Sequence, residues 1–131
     1  MAAGIERFAS GGPWEAGFGY SRAVRAGDML LVAGTTAIDE DGVVRGADDA
    51  GAQTAFALDR IAAALADAGG RLDQVVLTRM YVTDISRAGE IGRVHGERFA
   101  THPPVASMVQ VAALIDPRML VEIEAMAYVG R

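Results

Sequence analysis

Apolar and polar positions along the chain follow two different periods, which predict strands and helices in a definite order. Ser21 to Ala26 and Met29 to Thr36 are short runs rich in Val and Leu, and the Gly27-Asp28 pair between them is a hairpin signal. From Asp48 to Ala68 the apolar spacing becomes helical. The first half of the chain therefore predicts a β-hairpin followed by a helix.

The predicted first helix has an apolar face and defined ends. Asp48 and Asp49 suit its N-terminus, and the Gly69-Gly70 pair suits its C-terminus. Three polar residues are expected to point away from the apolar face: Gln53, Arg60 and Asp67. The apolar face itself consists of Ala55, Leu58, Ile61, Ala62, Leu65 and Ala68.

The second half of the chain predicts three strands and one further helix. Leu72 to Thr83 is apolar on both faces, which is typical of a central strand, and a helix capped by Asp84 or Ser86 runs to about Phe99. Two more strands are predicted at Val105 to Leu114 and at Met119 to Val129. The order β-β-α-β-α-β-β predicts an α+β fold, a mixed sheet with two helices on one face. The other apolar face is then expected to be buried in an oligomer.

Length and composition bound the organisation. The 131 residues leave room for a single domain, 1–131, and 51% of them are hydrophobic, as in a folded globular protein. The first nineteen residues are rich in Gly, Ser and Pro and predict an ordered loop, 1–19, that contains Trp14.

Charge and residue usage exclude several partners. The net charge is −5 and no lysine is present, so neither nucleic acid nor a membrane surface is an expected partner. Without cysteine there is no disulfide and no thiol catalysis. No apolar stretch reaches the ~18 residues that span a bilayer, and the N-terminus has no signal-peptide pattern. A cytoplasmic protein is the expectation.

Several strings, in this order and spacing, resemble the RidA/YjgF family, once described as endoribonucleases or translation inhibitors. The resemblance runs from about Gly17 to Ala127. The strings are Gly19-Tyr20-Ser21-Arg22-Ala23-Val24, Leu31-Val32-Ala33-Gly34, Gln53-Thr54, Val82-Thr83-Asp84, Pro103-Pro104, Val109-Gln110-Val111-Ala112-Ala113-Leu114 and Val121-Glu122-Ile123-Glu124-Ala125.

The resemblance implies an architecture and an activity. The family's trimers resemble chorismate mutase, with sheets facing an inner barrel, helices outside and ligand clefts between subunits. Its hydrolytic members convert 2-imino or enamine acids to 2-keto acids and ammonia without a cofactor. A homotrimer that binds a small-molecule ligand, and that needs no cofactor, is therefore expected.

The family's site positions are only partly matched. Its cleft tyrosine falls on Tyr20, its strand glycine on Gly34, and the glutamate that positions or activates water on Glu122. Its carboxylate-binding arginine falls on Ala106, within Pro104-Val105-Ala106-Ser107, and a neighbouring position that is often cysteine falls on Met108. The chain thus resembles an arginine-lacking branch of the superfamily.

The alanine matters because a guanidinium binds a carboxylate through two parallel hydrogen bonds, whereas alanine has no donor. Losing charge-assisted bonds worth about 1.5 to 3 kcal/mol each would weaken binding of an imino acid by one or more orders of magnitude. Arg79, in the middle of an apolar strand, must meet either a ligand or a carboxylate. It therefore either replaces the missing anion clamp or neutralises Glu122 or Glu124.

Two carboxylates share one side of the last strand, because Glu122 and Glu124 alternate with apolar residues. Like charges near a cleft raise a pKa, which suits a general base acting on water. For Glu122 this role and an ordinary ion pair are both open. For Glu124 the ion pair is the favoured interpretation.

The two histidines favour structural interpretations. His95 lies on the apolar face of the second helix, where a hydrogen-bonded core histidine is the commoner case, and His102 precedes two prolines and is expected to be exposed. With two histidines and no cysteine, no metal site is expected.

Three functions follow as hypotheses. The first is a hydrolase for a small imine, enamine or related metabolite, in which Glu122 manages the water, Tyr20 and Gly34 orient the substrate, and Met108 is a deformable wall. The second is a trimer that binds a metabolite without turnover. Contacts between the guanidinium of Arg79 and carboxylates of the protein would favour this hypothesis. The third, RNA cleavage, is disfavoured by the acidic charge and the absence of a histidine pair.

Overall fold

The computed structural model of the chain describes residues 4–130. Its strands are β1 Ile5–Phe8, β2 Ala23–Ala26, β3 Met29–Thr35, β4 Val75–Val82, β5 Val105–Gln110 and β6 Val121–Tyr128. Its α-helices are α1 Glu15–Phe18, α2 Ala50–Asp67 and α3 Ala88–Arg98, and single 3₁₀ turns at Leu72–Gln74 and Ile85–Arg87 precede β4 and α3.

The six strands form one mixed sheet in the order β1-β2-β3-β6-β4-β5. All neighbouring strands are antiparallel except β4 and β5, which are joined by the crossover helix α3 and run parallel. Both α2 and α3 contribute to the core on one face of this sheet. The predicted α+β class, with a mixed sheet and two helices on one face, is confirmed.

The β2–β3 hairpin forms at the predicted turn. Ala26 pairs with Met29 across Gly27 and Asp28, and Gly27 adopts a positive φ of 62° that glycine tolerates at no steric cost. The second strand of the hairpin, β3, also pairs with β6 near the end of the chain. In this pairing Leu31 lies opposite Met126.

Helix α2 has the expected ends, but the prediction that Gln53 points away from the core is wrong. Asp49 accepts a hydrogen bond from the backbone N–H of Ala52, and Gly69 at φ 92° follows the last turn. Gln53, expected to point away from the core, is completely buried. Its side chain accepts a hydrogen bond from the backbone N–H of Leu120 and donates to the carbonyl of Arg118. A buried amide that satisfies backbone groups fits a core position as well as an apolar side chain does.

The segment 1–19, expected to be a loop, contains regular structure within its described part. Residues Ile5–Phe8 form β1, which pairs with β2 at the edge of the sheet, and Glu15–Phe18 form the short helix α1. Four exposed or half-buried residues carry too little apolar periodicity to be recognised as a strand. The strand predicted at Val105 to Leu114 also ends earlier, at Gln110.

One face of the sheet carries apolar side chains that no other part of residues 4–130 covers. The pairing places Val105 beside Leu77 and Val109 beside Tyr81 on this face. The exposed fractions are 40% for Leu31, 68% for Val105, 48% for Val109 and 44% for Tyr128. We call this surface the open face. No helix among the described residues is long and apolar enough to cross a bilayer.

The hydrogen bonds of Gln53 provide a test of how α2 is attached to the segment that leads into β6. Replacing Gln53 with Leu should lower the free energy of unfolding by about 2 to 4 kcal/mol, because the backbone groups of Gly46, Arg118 and Leu120 lose the side chain that bonds them. Urea unfolding at a fixed protein concentration measures the change. Ala63→Ser, on the exposed side of the same helix, should change it by less than about 0.5 kcal/mol. Equal effects of the two substitutions would contradict this assignment.

Candidate functional site

A cavity of about 360 Å³ lies beyond the end of the sheet where β3 stops and β6 begins. Loops that precede and follow these strands close it, together with the segment around α1 and one side chain from α2. We call it the β3–β6 cavity. Its lining residues are Gly12, Pro13, Trp14, Phe18, Tyr20, Arg22, Ala33, Gly34, Thr36, Ile38, Arg60, Ile115 and Glu122.

The carboxyl group of Glu122 occupies space that a glycine leaves free. A β-carbon at Gly34 would lie 2.8 Å from Cδ and 2.9 Å from Oε2 of Glu122, closer than non-bonded atoms approach. A register shift between β3 and β6 falls at this point, between Val32 and Thr35, and it brings Gly34 against Glu122. The glycine therefore positions the carboxylate at the wall of the cavity.

Glu122 has an environment that disfavours its charge. Burial raises the pKa of Glu122, the carboxylate of Glu124 raises it further, and the guanidinium of Arg22 acts in the opposite direction. Within residues 4–130 no group donates a hydrogen bond to this carboxylate. A half-buried acid with free acceptor positions in a cavity is suited to exchange a proton with water.

Arg22 joins the cavity wall to the end of β3. Its side chain is only 7% exposed, and Nη1 donates to the carbonyl of Gly34 at 3.1 Å and to Oγ1 of Thr35 at 2.9 Å. Its Nε lies 3.5 Å from Oε2 of Glu15, which is close enough for charge attraction although no hydrogen bond is formed. The guanidinium also lies over the ring of Tyr20, 5.8 Å from its centroid.

Glu15 fixes the loop that forms the opposite wall. Burial alone would raise the pKa of Glu15, but hydrogen bonds from the hydroxyl and backbone of Ser10, the charge of Arg22 and the backbone of Gly12 outweigh it and hold the pKa below its usual value. The carboxylate is therefore ionised, and it ties residues 10 to 15 to Arg22 on the sheet.

Arg60 of α2 is the second guanidinium in the wall. Nη1 donates to the backbone carbonyl of Thr36 at 2.8 Å, the one hydrogen bond of this side chain within residues 4–130. Burial lowers the pKa of Arg60, and the neighbouring Arg22 lowers it further, whereas Glu15 and Tyr20 raise it. No carboxylate of the described residues forms an ion pair with it.

A second cavity of about 400 Å³ shares part of this wall, including Pro13, Ile38 and Arg60. Its other charged residues are mostly acidic and come from the turn after Ile38: Asp39, Glu40 and Asp41, with Arg45 paired to Asp39 at 2.9 Å. Arg60 thus separates an acidic cavity from the one that contains Glu122. No group of three or more His, Asp or Glu side chains within residues 4–130 is placed to hold a metal ion.

Three residues singled out from the sequence lie together, and three lie elsewhere. Tyr20, Gly34 and Glu122 all line the β3–β6 cavity. Ala106 pairs with Thr78 and Met108 pairs with Met80, both on the edge strand β5, two strands away from Glu122. Met108 packs against the core under the helices, so within one chain neither residue contributes to this cavity.

Arg79 is not the anion contact of this cavity. Its guanidinium is half exposed on the open face and lies 3.3 Å from Oε1 of Glu124. The same oxygen accepts a hydrogen bond from the hydroxyl of Tyr81 at 2.6 Å, which raises the pKa of Tyr81. The alternative in which Arg79 neutralises a carboxylate is the one observed, and Glu124 forms the expected ion pair. Within the single chain the charge needs no ligand, because Glu124 pairs with it and half of the side chain is in contact with solvent.

Both histidines have the expected structural positions. The ring of His95 shares a 2.9 Å hydrogen bond with the hydroxyl of Thr78 and packs on Phe99, with 4.6 Å between ring centroids. Burial lowers the pKa of His95. His102 is exposed beside Thr101. Neither histidine lines the β3–β6 cavity.

Arg60 was expected to point away from the apolar face of its helix, and its place in the wall of the β3–β6 cavity was not predicted. Its position seven residues after Gln53, two helical turns along the same side, would have indicated a shared environment only if Gln53 had been recognised as buried. Arg22 was within a recognised string, but no signal assigned its side chain to the site. Phe18 and Ile115 have no periodic context and could not be identified.

The raised pKa of Glu122 gives a pH-dependent test. A carboxyl group whose pKa is higher in the folded than in the unfolded protein lowers the free energy of unfolding as the pH rises. The loss begins near pH 4.5, the pKa of the unfolded protein, and is complete above the pKa of the folded protein. Glu122→Gln should therefore be more stable than the wild type at about pH 7, and this gain should shrink as the pH falls toward about 4. Chemical unfolding across this pH range measures the difference.

Glu97→Gln is the matched control, because it removes an exposed carboxylate from α3 by the same substitution. Its free energy of unfolding should stay within about 0.5 kcal/mol of the wild type at either pH. A gain for Glu122→Gln that grows as the pH falls would have the wrong sign and would contradict the assignment.

Comparison with known proteins places the chain in a family. The family model described as Endoribonuclease L-PSP matches residues 14–129. The uncharacterized protein SCO2049 of Streptomyces coelicolor is 39% identical over 126 residues, which cover 96% of this chain and 93% of that protein.

Solved structures agree in sequence and in shape. Rv2704 from Mycobacterium tuberculosis, a member of the YjgF/YER057c/UK114 family, is 52% identical with a TM-score of 0.86 and covers 95% of this chain and 99% of its own. YyfA from Yersinia pestis, a protein of the Rid family, is 28% identical with a TM-score of 0.83 and covers 95% of this chain and 99% of its own. The chain belongs to the RidA/YjgF superfamily.

Proposed function

We propose that this protein hydrolyses a small imine, enamine or related reactive metabolite in the β3–β6 cavity. The observation that carries the proposal is the carboxylate of Glu122, held against Gly34 without a hydrogen-bond donor from the described residues and with its pKa raised by burial. A base in this state binds water and accepts its proton at a pH closer to neutral than an exposed glutamate would.

The chemistry assigned to Glu122 is a proton transfer in two directions. Glu122 accepts a proton from water as the water oxygen bonds to the imine carbon. The same carboxyl returns the proton to nitrogen, which gives a carbinolamine. The carboxylate then accepts the proton of the carbinolamine hydroxyl and passes it to the amine nitrogen as the carbon–nitrogen bond breaks, so that a 2-keto acid and ammonia leave. Atoms balance without a cofactor, because an imine and one water give one ketone and one ammonia.

Tyr20 and Gly34 are the proposed orienting groups. Tyr20 lies at the rim, 37% exposed and beside the guanidinium of Arg22, so its hydroxyl is available to a ligand. Gly34 keeps the wall free of a side chain, so a planar imine can approach Glu122.

The open face supports assembly as a homotrimer, with the sheets turned inward around a chorismate-mutase-like barrel. Exposed apolar side chains on β3, β5 and β6 are costly to leave in water. In such a trimer a neighbour's edge strand β5, with Ala106 and Met108, would complete the cleft around the cavity. In this proposal Ala106 would stand at the position of the family's carboxylate-binding arginine, and the chain would be a member of an arginine-lacking branch.

A second candidate function is binding of a metabolite without turnover. The ion pair of Arg79 with Glu124 favours it, because this arginine is not available to replace the missing clamp. The hydrolase remains the better supported function, since Arg22 and Arg60 bring two other guanidinium groups to the cavity that contains Glu122.

RNA cleavage, which the family description names, has less support from the site. An acid–base mechanism needs two groups that exchange protons at neutral pH. His95 is bonded to Thr78, and His102 lies outside the cavity.

The proposed activity is tested by generating 2-iminobutyrate or 2-aminoacrylate in situ and following ammonia release. The wild type should accelerate release above the buffer rate, and Glu122→Gln should lower the enzymatic rate by roughly 100-fold or more because the general base is lost. Glu97→Gln should retain the wild-type rate. A wild-type rate equal to that of buffer eliminates these substrates, and ligand-dependent stabilisation without ammonia release would support the binding function.

The proposed trimer is tested by light scattering coupled to gel filtration. The wild type should have a mass of about 41 kDa, three times the 13.7 kDa of one chain. Leu31→Asp should give a folded monomer, because it would place a charge in the subunit interface. Val43→Asp, which changes an exposed residue outside the sheet, should remain trimeric. A monomeric wild type, or a trimeric Leu31→Asp, would refute the arrangement.

A further inference from the structure

The guanidinium of Arg60 forms no ion pair with a carboxylate of residues 4–130. Arg60 is half-buried in α2, and within residues 4–130 its side chain contacts a single acceptor, the carbonyl of Thr36 at 2.8 Å. A guanidinium has five N–H donors in a planar fork, so one bond leaves most of them free. A half-buried cation without a carboxylate partner costs free energy, which a bound anion would recover.

Arg22, the other arginine of the β3–β6 cavity, is already engaged. Its guanidinium is buried, donates to Gly34 and Thr35, and is neutralised by Glu15. It has a structural role and few donors to offer. Its positive charge nevertheless adds to that of Arg60 and increases the attraction of this cavity for an anion.

Arg60 borders two cavities, and their charges decide on which side an anion binds. The second cavity contains Asp39, Glu40 and Asp41, which repel an anion. The β3–β6 cavity contains the guanidinium of Arg22 and, among its lining residues, a single carboxylate, that of Glu122. An anion is therefore attracted to the side that also holds the proposed base.

The remaining walls indicate what is attached to the anion. Phe18 and Ile115 are exposed by 67% and 55% and line the cavity, and Trp14 and Ile38 form further apolar surface. These side chains suit a ligand in which a short apolar group is attached to the anion.

We infer that the β3–β6 cavity binds a small monocarboxylate with an apolar side group, and that Arg60 of the same chain holds the carboxylate. This inference deepens the proposed function, because the bound acid would present its 2-position to Glu122. The anion contact comes from helix α2 and not from strand β5, so the substitution at Ala106 does not deprive the site of a guanidinium. Arg60 is a binding residue in this assignment.

The test is a ligand-observed NMR titration of the full-length protein with 2-oxobutyrate and with its uncharged methyl ester. Neither probe requires turnover. Wild type should bind the acid more tightly than the ester. Arg60→Met, which keeps much of the side-chain length but removes every donor, should weaken binding of the acid about 10- to 100-fold, as expected for one or two charge-assisted hydrogen bonds. Binding of the ester should be unchanged.

Two further variants separate charge from folding. Arg60→Lys keeps the charge without the planar fork and should lie between wild type and Arg60→Met. Arg93→Met makes the same change at an exposed arginine of α3 and should bind like wild type. Circular dichroism should show that Arg60→Met is folded, which separates a loss of acid binding from a loss of structure.

The outcomes distinguish this inference from the proposed hydrolysis. Absent ammonia release together with acid binding that depends on Arg60 would refute hydrolysis and support the carboxylate site. Ammonia release that persists at the wild-type KM in Arg60→Met would overturn the role of Arg60 and leave hydrolysis standing. Equal weakening for acid and ester, or none for either, would also overturn it.

Discussion

The buried contact between Arg22 and Glu15 is the interaction on which the cavity depends. Both side chains are more than nine-tenths buried, and within residues 4–130 no other ion pair is so fully removed from solvent. Taking two charges out of water is costly, and the protein compensates with hydrogen bonds to both partners: Ser10 and Gly12 donate to the carboxylate, while Gly34 and Thr35 accept from the guanidinium. The result is a rigid link between the segment before α1 and the end of β3.

Two other side chains of the β3–β6 cavity lie in surroundings that disfavour their charged forms. Both Glu122 and Arg60 are partly desolvated; within residues 4–130 no group donates a hydrogen bond to Glu122, and no carboxylate pairs with Arg60. Structural ion pairs elsewhere in the molecule, such as Arg118 with Asp116 or Arg98 with Asp59, are direct and solvent-exposed. This contrast separates the cavity from the ordinary surface. Unbalanced groups of opposite sign, held apart by rigid backbone, are the state in which a ligand gains most from binding.

Much of the fold followed from the sequence, because a change of period from two to 3.6 marks each boundary between strand and helix. The site followed less completely. Tyr20, Gly34 and Glu122 were identified through resemblance and do lie together. A pattern that divides residues only into apolar and polar, however, treats every polar residue on a helix as solvent-facing. It therefore misplaced Gln53 and gave no weight to Arg60. Arg79 was overvalued for the converse reason: its strand is apolar on both faces, yet one face is open in the single chain, so its charge is hydrated. Burial of a polar side chain depends on tertiary contacts that local spacing does not encode.

The pairing of β3 with β6 also determines when the cavity forms during folding. Gly34 and Glu122 are separated by 88 positions in the chain, whereas α2, β4, α3 and β5 are consecutive. Closing so long a loop costs more conformational entropy than forming those local contacts, which slows the step that completes the sheet. The site exists only where both ends of this long loop meet, so a ligand that binds there would stabilise the folded chain and not the unfolded one.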